Sequence, residues 1–294
     1  MSDPGTAADP TPVVGLLHPG SMGAAFGAVL RARGHEVLWC PEGRSAATCG
    51  RAEAAGLRAR TLPELVARAG LLLSLCPPDA AEAVAREVAA HAPRPGTVYV
   101  EANAIAPRRV RDIAALLGPA VPLVDGAVVG SPPRGGKSPL LFLSGPDPEV
   151  ARLAAHFSGT DVRARPLGPD LGRASALKLV YSLHQKSSRL LAALSLGAAR
   201  EYGVEDELLE IAGQRAGSYL TETDYVSKTA ARSWRWAPEL ADAAELLAEA
   251  GLPAEAVRAA AGTLARWNPE RAEPADVAAA LALLRRPRTG EGPA

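Results

Sequence analysis

Residues 15–23 read GLLHPGSMG, an apolar run that breaks into a glycine-bearing turn. Such a turn suits anion binding. Glycines let backbone approach a phosphate, and the free N–H groups that open the next helix receive its charge. Against the G-x-G-x-x-G spacing of dinucleotide-binding turns, His18 stands at the first glycine, while Gly20 and Gly23 keep the second and third. Gly20 is expected to admit a pyrophosphate and Gly23 to let the helix pack closely on the strand. Pro19 stiffens the turn and removes one donor, and His18 reads as a turn residue rather than a catalyst. The competing reading is an ordinary strand-to-helix turn with no ligand. The order strand, turn, helix favours a cofactor segment made of His18, Pro19, Gly20, Ser21, Met22 and Gly23.

The end of the second strand, about twenty residues further on, is where such proteins read the ribose. Here the stretch is VLWCPEGRSAAT, residues 37–48. Glu42 would accept from a free 2′-hydroxyl and so favour NAD. Arg44 and Ser45 would hold a 2′-phosphate, and they open a helix N-terminus where phosphate is well received. The position usual for an NAD-selecting carboxylate holds Cys40 and Pro41, so NADP(H) is expected over NAD(H).

The elements that must carry these residues alternate. Short apolar runs separated by helical patterns fill the first half, as in parallel βαβ units. Strands are expected at 13–17, from His35, at 71–76 (stopped by Pro77-Pro78), at 97–103, in PLVDGAVVG and PLLFLSG, and near 163–168. Helices are expected at Ser21–Arg33, from the Pro77-Pro78 stop to about His91, and after Pro107, which suits a first turn. Beyond Gly168 the pattern is helical: one long helix over 172–202, then 204–216, 236–250 and 253–266. The fold class is therefore an α/β Rossmann-like doubly wound sheet followed by an all-α C-terminal domain. The expected divisions are a disordered N-terminus at 1–11, a nucleotide-binding domain at 12–167, a helical substrate and dimerisation domain at 168–285, and a disordered tail at 286–294.

Composition narrows the function classes. Thirty-two basic and thirty-two acidic side chains cancel to zero net charge, which advertises neither nucleic-acid nor anionic-membrane binding. Cys40, Cys49 and Cys76 lack disulfide or zinc spacing, and the five histidines are dispersed, so no metal is expected. No signal-peptide pattern or membrane-length apolar run is evident, and the expected location is cytoplasmic.

Several segments together resemble the β-hydroxyacid dehydrogenase superfamily, which includes 3-hydroxyisobutyrate and 6-phosphogluconate dehydrogenases and the imine reductases. GLLHPGSMGAAFGAVLRARGHEV resembles its opening fingerprint. LSLCPP, with Cys76 and Pro77, occupies the place of the loop against the nicotinamide ribose. VEANAIAP resembles the D-x-S-T-x-x-P segment and puts Asn103 beside the nicotinamide. DGAVVGSPPRGGKSPLLFLSG is similar to the substrate segment, with Gly130 and Ser131 positioning substrate. GRASALKLVYSLHQ is similar to the segment that carries the catalytic lysine, which gives Lys178 by position. The resemblance implies a small-molecule substrate and a homodimer formed through the helical domain.

The chemistry asks for such a group as well. Hydride transfer at a carbonyl carbon needs a residue that exchanges the oxygen's proton, and lysine does so when burial or a nearby cation lowers its pKa. Lys178 shares a helix face with Ser175 and Ser182. Departures are informative. Ser182 replaces the family's frequent Asn, Tyr181 replaces the histidine of 6-phosphogluconate dehydrogenases, and Val129-Gly130-Ser131 replaces the Ser-Gly-Gly carboxylate cradle. Imine reductases typically replace the lysine, so its presence favours C–O chemistry. An imine reductase and a non-catalytic NADP(H)-binding sensor stay as alternatives.

Other features read as structural. Lys186 is expected to be solvated, and Tyr181 either donates to substrate or packs between helices. The aromatic cluster RSWRW, with Trp234 and Trp236, reads first as core. PRGGKS, with Arg134 and Lys137, lacks P-loop spacing and reads as a hairpin-like turn.

Overall fold

The computed structural model describes residues 12–214, 217, 225–267 and 274–285. The expected disordered ends, 1–11 and 286–294, lie outside the described residues, as do the last two positions of the helix expected at 204–216. The chain divides into two compact units, 1–183 and 184–294.

The first unit is built on one eight-stranded sheet. In chain order its elements are β1 Val14–Leu16, α1 Ser21–Ala32, β2 Val37–Trp39, α2 Ala46–Ala54, β3 Arg58–Ala59, α3 Leu62–Arg68, β4 Leu71–Ser74, α4 Ala81–Ala90, β5 Val98–Glu101, α5 Pro107–Leu117, β6 Leu123–Val129, β7 Leu140–Ser144, α6 Asp147–His156 and β8 Arg163–Pro166. A long helix, α7 Arg173–Glu201, follows. Strand order is β3-β2-β1-β4-β5-β6-β7-β8, parallel throughout except for the antiparallel β6–β7 pair. The order reverses between β1 and β4, which opens a crevice at the strand C-termini, where α/β sheets receive ligands.

The central strands β1, β2, β4 and β5 are buried on both faces, so their residues alternate between two cores. Val14, Leu16, Val37, Trp39, Leu71 and Leu73 face Phe26 and Leu30 of α1 and Val150 and Leu153 of α6. Leu38, Leu72 and Tyr99 face Leu65 of α3, Val88 of α4 and Ile113 of α5. The small elements β3 and α3, and helix α6, are absent from the sequence expectation. β3 has two residues, too few to show a period.

The described residues of the second unit hold the further helices α8 Glu205–Gly213, α9 Tyr225–Glu249, α10 Glu255–Leu264 and α11 Val277–Arg285. Its described core gathers Ala198, Ala244, Leu247, Ala254 and Val257. α9 corrects the expected start at 236. It begins at Tyr225 and runs through Pro238. Trp234 is 41% exposed, so the core expectation fails there. Trp236 is half-buried, and the side chain of Lys186 lies outside the described residues. No described helix is long and apolar enough to cross a membrane, and no described group of three or more His, Cys, Asp or Glu could hold a metal ion.

Candidate active site

The turn after β1 closes tightly onto the first residues of α1. A Cβ on Gly23 would lie 2.3 Å from the His18 carbonyl oxygen, backbone against backbone, so no side chain fits there. Gly20 is the residue before α1, in extended conformation, and no side chain caps the helix. The N–H groups of the first turn are left to an acceptor from outside. The structure thus brings together His18, Pro19, Gly20, Ser21, Met22 and Gly23 as one bend at the C-terminal edge of the sheet.

Arg44 reaches this bend from the loop after β2. It donates to the Leu17 carbonyl at 3.1 Å and to His18 Nδ1 at 3.2 Å. Arginine has no acceptor atom, so this bond requires His18 to be neutral with its proton on Nε2. Burial holds the His18 pKa below its ordinary value, and the charges of Arg44 and Arg51 add to the effect. Ser45 caps α2, accepting from the Thr48 N–H at 3.3 Å. The expected pair Arg44-Ser45 therefore sits where the β2 loop meets a helix start, beside a cavity of about 450 Å³ lined by Leu17, Cys40, Arg44, Leu62, Val84 and Val88. A cavity of about 330 Å³ lies at the opposite, N-terminal edge of the sheet, lined by Pro12, His35 and His156 among others, and touches none of these loops.

Across the switch point, Asn103 and Cys76 meet. Asn103 Nδ2 donates to Ser74 Oγ at 2.9 Å and to Cys76 Sγ at 3.3 Å, and its backbone N–H donates to Glu101 Oε1 at 3.0 Å. The donors are spent within the protein. Asn103 Oδ1 is buried and has no partner, which leaves one acceptor. Pro77 follows Cys76 and is exposed. Burial pushes the Cys76 thiol up, away from thiolate reactivity.

Lys178 lies in the second turn of α7 and donates to the Val128 carbonyl of β6 at 2.8 Å. Sequence reading missed what holds it there. Asp125 of β6 is fully buried. It accepts from Ser175 Oγ at 2.6 Å, from the Ser175 N–H at 3.0 Å and from Ser144 Oγ at 3.0 Å. Ser144 Oγ accepts from the Ala174 N–H at 3.1 Å. A buried carboxylate and a serine thus cap the start of α7, and Gly172, at φ +97°, turns the chain into it. Burial raises the Asp125 pKa against these hydrogen bonds, which favour its charged form. Ser175, expected only as a neighbour of Lys178 on one helix face, is the cap partner, and Ser182 is buried on the same helix. Tyr181 is 37% exposed. Gly130 and Ser131 stand exposed at the end of β6.

The second missed carboxylate is Glu101. It is fully buried, Oε2 has no partner, and burial pushes its pKa up to about 7. The signal was available in both cases. An acid in the middle of an apolar strand, as in TVYVEAN or PLVDGAVV, has to be neutralised or capped.

Comparison with known proteins places this architecture. Residues 199–267 match a domain of unknown function, DUF1932. A 28.5 kDa protein encoded in the 7S RNA 5′ region of Methanothermus fervidus is 27% identical over 183 residues, 62% of this chain and 69% of that protein. Among solved structures, the conserved protein MTH1747, described as structurally similar to 3-hydroxyacid dehydrogenases, aligns over 88% of this chain and 99% of its own, with 26% identity and a TM-score of 0.56. The chain has the 3-hydroxyacid dehydrogenase fold. A reductive aminase from Aspergillus terreus, solved with NADPH and ethyl levulinate, shares that fold at 20% identity. Its TM-score is 0.70 over 93% of this chain and 99% of that one. In this sheet the β1 turn and the loops after β4 and β5 follow the C-terminal ends of neighbouring parallel strands, and Lys178 rests on Val128 towards the same end of β6.

Proposed function

We propose that this protein is an NAD(P)-dependent oxidoreductase, NADP(H) preferred, that moves hydride between the nicotinamide and a small hydroxy or keto substrate. The observation that carries the reading is Lys178 held on β6 by the Val128 carbonyl, on a helix capped by Asp125. The residues present fit the cofactor. Gly23 admits no side chain, the first turn of α1 offers uncapped N–H groups, and Asn103 Oδ1 is a buried acceptor without a partner. His18 through Gly23 would hold the diphosphate and Arg44 with Ser45 the 2′-phosphate. Cys76, Pro77 and Asn103 would line the nicotinamide side. When bound, the nicotinamide accepts or supplies the hydride.

The chain's own part is orientation and proton movement. Lysine carries three donors, one of which is on Val128. That bond and the Asp125 cap hold Nζ at the edge of the substrate strand, where it gives a proton to the substrate oxygen in reduction and takes it back in oxidation. Gly130 and Ser131, with Tyr181 and Ser182 on α7, would orient the rest of the substrate. The likeness to a reductive aminase supports a second reading, reduction of an imine to an amine, in which Lys178 would protonate nitrogen instead. We further read the chain as a cytoplasmic homodimer formed through its helical half. There Val204, Leu209 and Ile211 expose apolar surface.

A screen of carbonyl and imine substrates, following NADPH absorbance in both directions, tests the reading. Lys178→Ala should lower hydride transfer by about a hundredfold or more with the NADPH Kd unchanged. An unaltered rate would remove the lysine from the mechanism. Amine formation that outruns ketone reduction would select the second reading.

A further inference from the structure

Three arginines from three separate elements converge on the turn after β1. Each takes an alternate carbonyl. Arg44, after β2, donates to Leu17 O. Arg51, on α2, donates to Pro19 O at 3.4 Å. Arg134, in the turn between β6 and β7, donates to Ser21 O at 3.1 Å and Ser21 Oγ at 2.9 Å. Among the described residues none of the three is in an ion pair, whereas Arg58, Arg68, Arg109 and Arg200, for example, each face a carboxylate. Like charges gathered without counter-charges are costly unless an anion joins them.

Arg44 lies on the β2 side, where a ribose 2′-substituent would be read. Arg134 lies on the other side, at the first residue of α1. In its turn Pro133 is buried, Gly135 and Gly136 adopt φ of +61° and +75°, and the Lys137 N–H donates to the Arg134 carbonyl at 3.3 Å. Arg51 and Arg134 also line one groove along α1, together with Ala24, Ala28 and Ala54. Among the described residues Arg134 bonds through one Nη, to Ser21, and a guanidinium offers five donors in a fork suited to phosphate.

We propose that Arg134 is a diphosphate ligand of the dinucleotide, delivered by the β6–β7 turn, with Arg51 flanking the same phosphates. The proposal rests on the cofactor reading above. It gives a role to a segment that sequence alone marks only as a turn. It also ties cofactor binding to β6, the strand on which Lys178 rests.

The test measures Kd for NADPH, NADH and 2′-AMP with wild type, Arg134→Ala, Arg134→Lys and Arg44→Ala. Arg134→Ala should weaken NADPH and NADH alike, about tenfold, and leave 2′-AMP, which has no diphosphate, within about twofold. Arg134→Lys should recover part of the loss, as a point charge without the fork. Arg44→Ala should instead weaken NADPH and 2′-AMP selectively. Arg134 is exposed, so an unchanged melting temperature should accompany these results. Unchanged dinucleotide affinity in Arg134→Ala, or an equal loss of 2′-AMP, overturns the assignment while leaving the cofactor reading intact. A wild-type protein that binds neither dinucleotide overturns the cofactor reading and the assignment with it.

Discussion

The hydroxyl of Ser175 donates to Asp125 at 2.6 Å across fifty positions of sequence. It fastens the first turn of α7 to the middle of β6, and Lys178 is placed from that anchor. Removing the carboxylate leaves two hydroxyls and at least one backbone N–H without their acceptor. Asp125→Ala should cost about 2–3 kcal/mol of stability, read as a lower urea midpoint at unchanged slope. Hydride transfer should fall further than in Ser175→Ala, which leaves the Ser144 and backbone bonds in place. Equal effects from the two variants would count against Asp125 as the anchor.

Glu101 makes stability depend on pH with an unusual sign. Its folded pKa is raised to about 7 from an ordinary 4.5, so between those values the native state holds more protons than the unfolded chain. Stability contributed by the protonated form is fully present below about 4.5 and is lost as pH rises through 7. Glu101→Gln keeps an acceptor for Asn103 and has no proton to lose. Relative to wild type it should gain on the order of 2–3 kcal/mol between pH 4.5 and 8. Denaturant unfolding at the two pH values decides it, since parallel curves would remove the linkage.

His18 reports on Arg44. Burial depresses its pKa most, and the arginine charges lower it further. In Arg44→Ala the imidazole should therefore titrate higher, toward 6.5, which an NMR titration of the ring protons would show. The same variant should lose NADPH affinity about tenfold or more while keeping NADH. No selectivity change would place the 2′-phosphate elsewhere.

Gly23 is the sharpest steric test. A methyl group there would meet the His18 carbonyl at 2.3 Å, so Gly23→Ala must push the turn away from α1. Calorimetry should find dinucleotide binding weakened by about a hundredfold or more, on the scale of a 3 kcal/mol distortion. Retained affinity would mean that the turn does not bind the diphosphate.

Much of the local structure was legible in the residues themselves. Val14–Leu16, Leu71–Ser74 and Val98–Glu101 are short apolar runs because parallel strands bury both faces. The helix starts at Ser21 and Pro107 follow from local backbone preferences. The glycine at position 23 was legible as a close-packing residue, and the long helix around Lys178 as an uninterrupted helical pattern. Pairings over long separations were not. Nothing near Arg134 announces Ser21, and nothing near Asp125 announces Ser175, because a fork or a carboxylate reaches any donor the sheet order brings within a few ångströms. The neutrality of His18, the raised pKa of Glu101 and the unpartnered oxygen of Asn103 belong to the same class. Each depends on burial and on neighbours delivered by other strands. Local pattern was enough for β1, β4, β5, the start of α1 and the candidate turn, whereas β3, α3, α6 and the true start of α9 escaped it. Only the tertiary structure decided which charges are compensated, because solvation and Coulomb energies depend on distances that chain order does not contain.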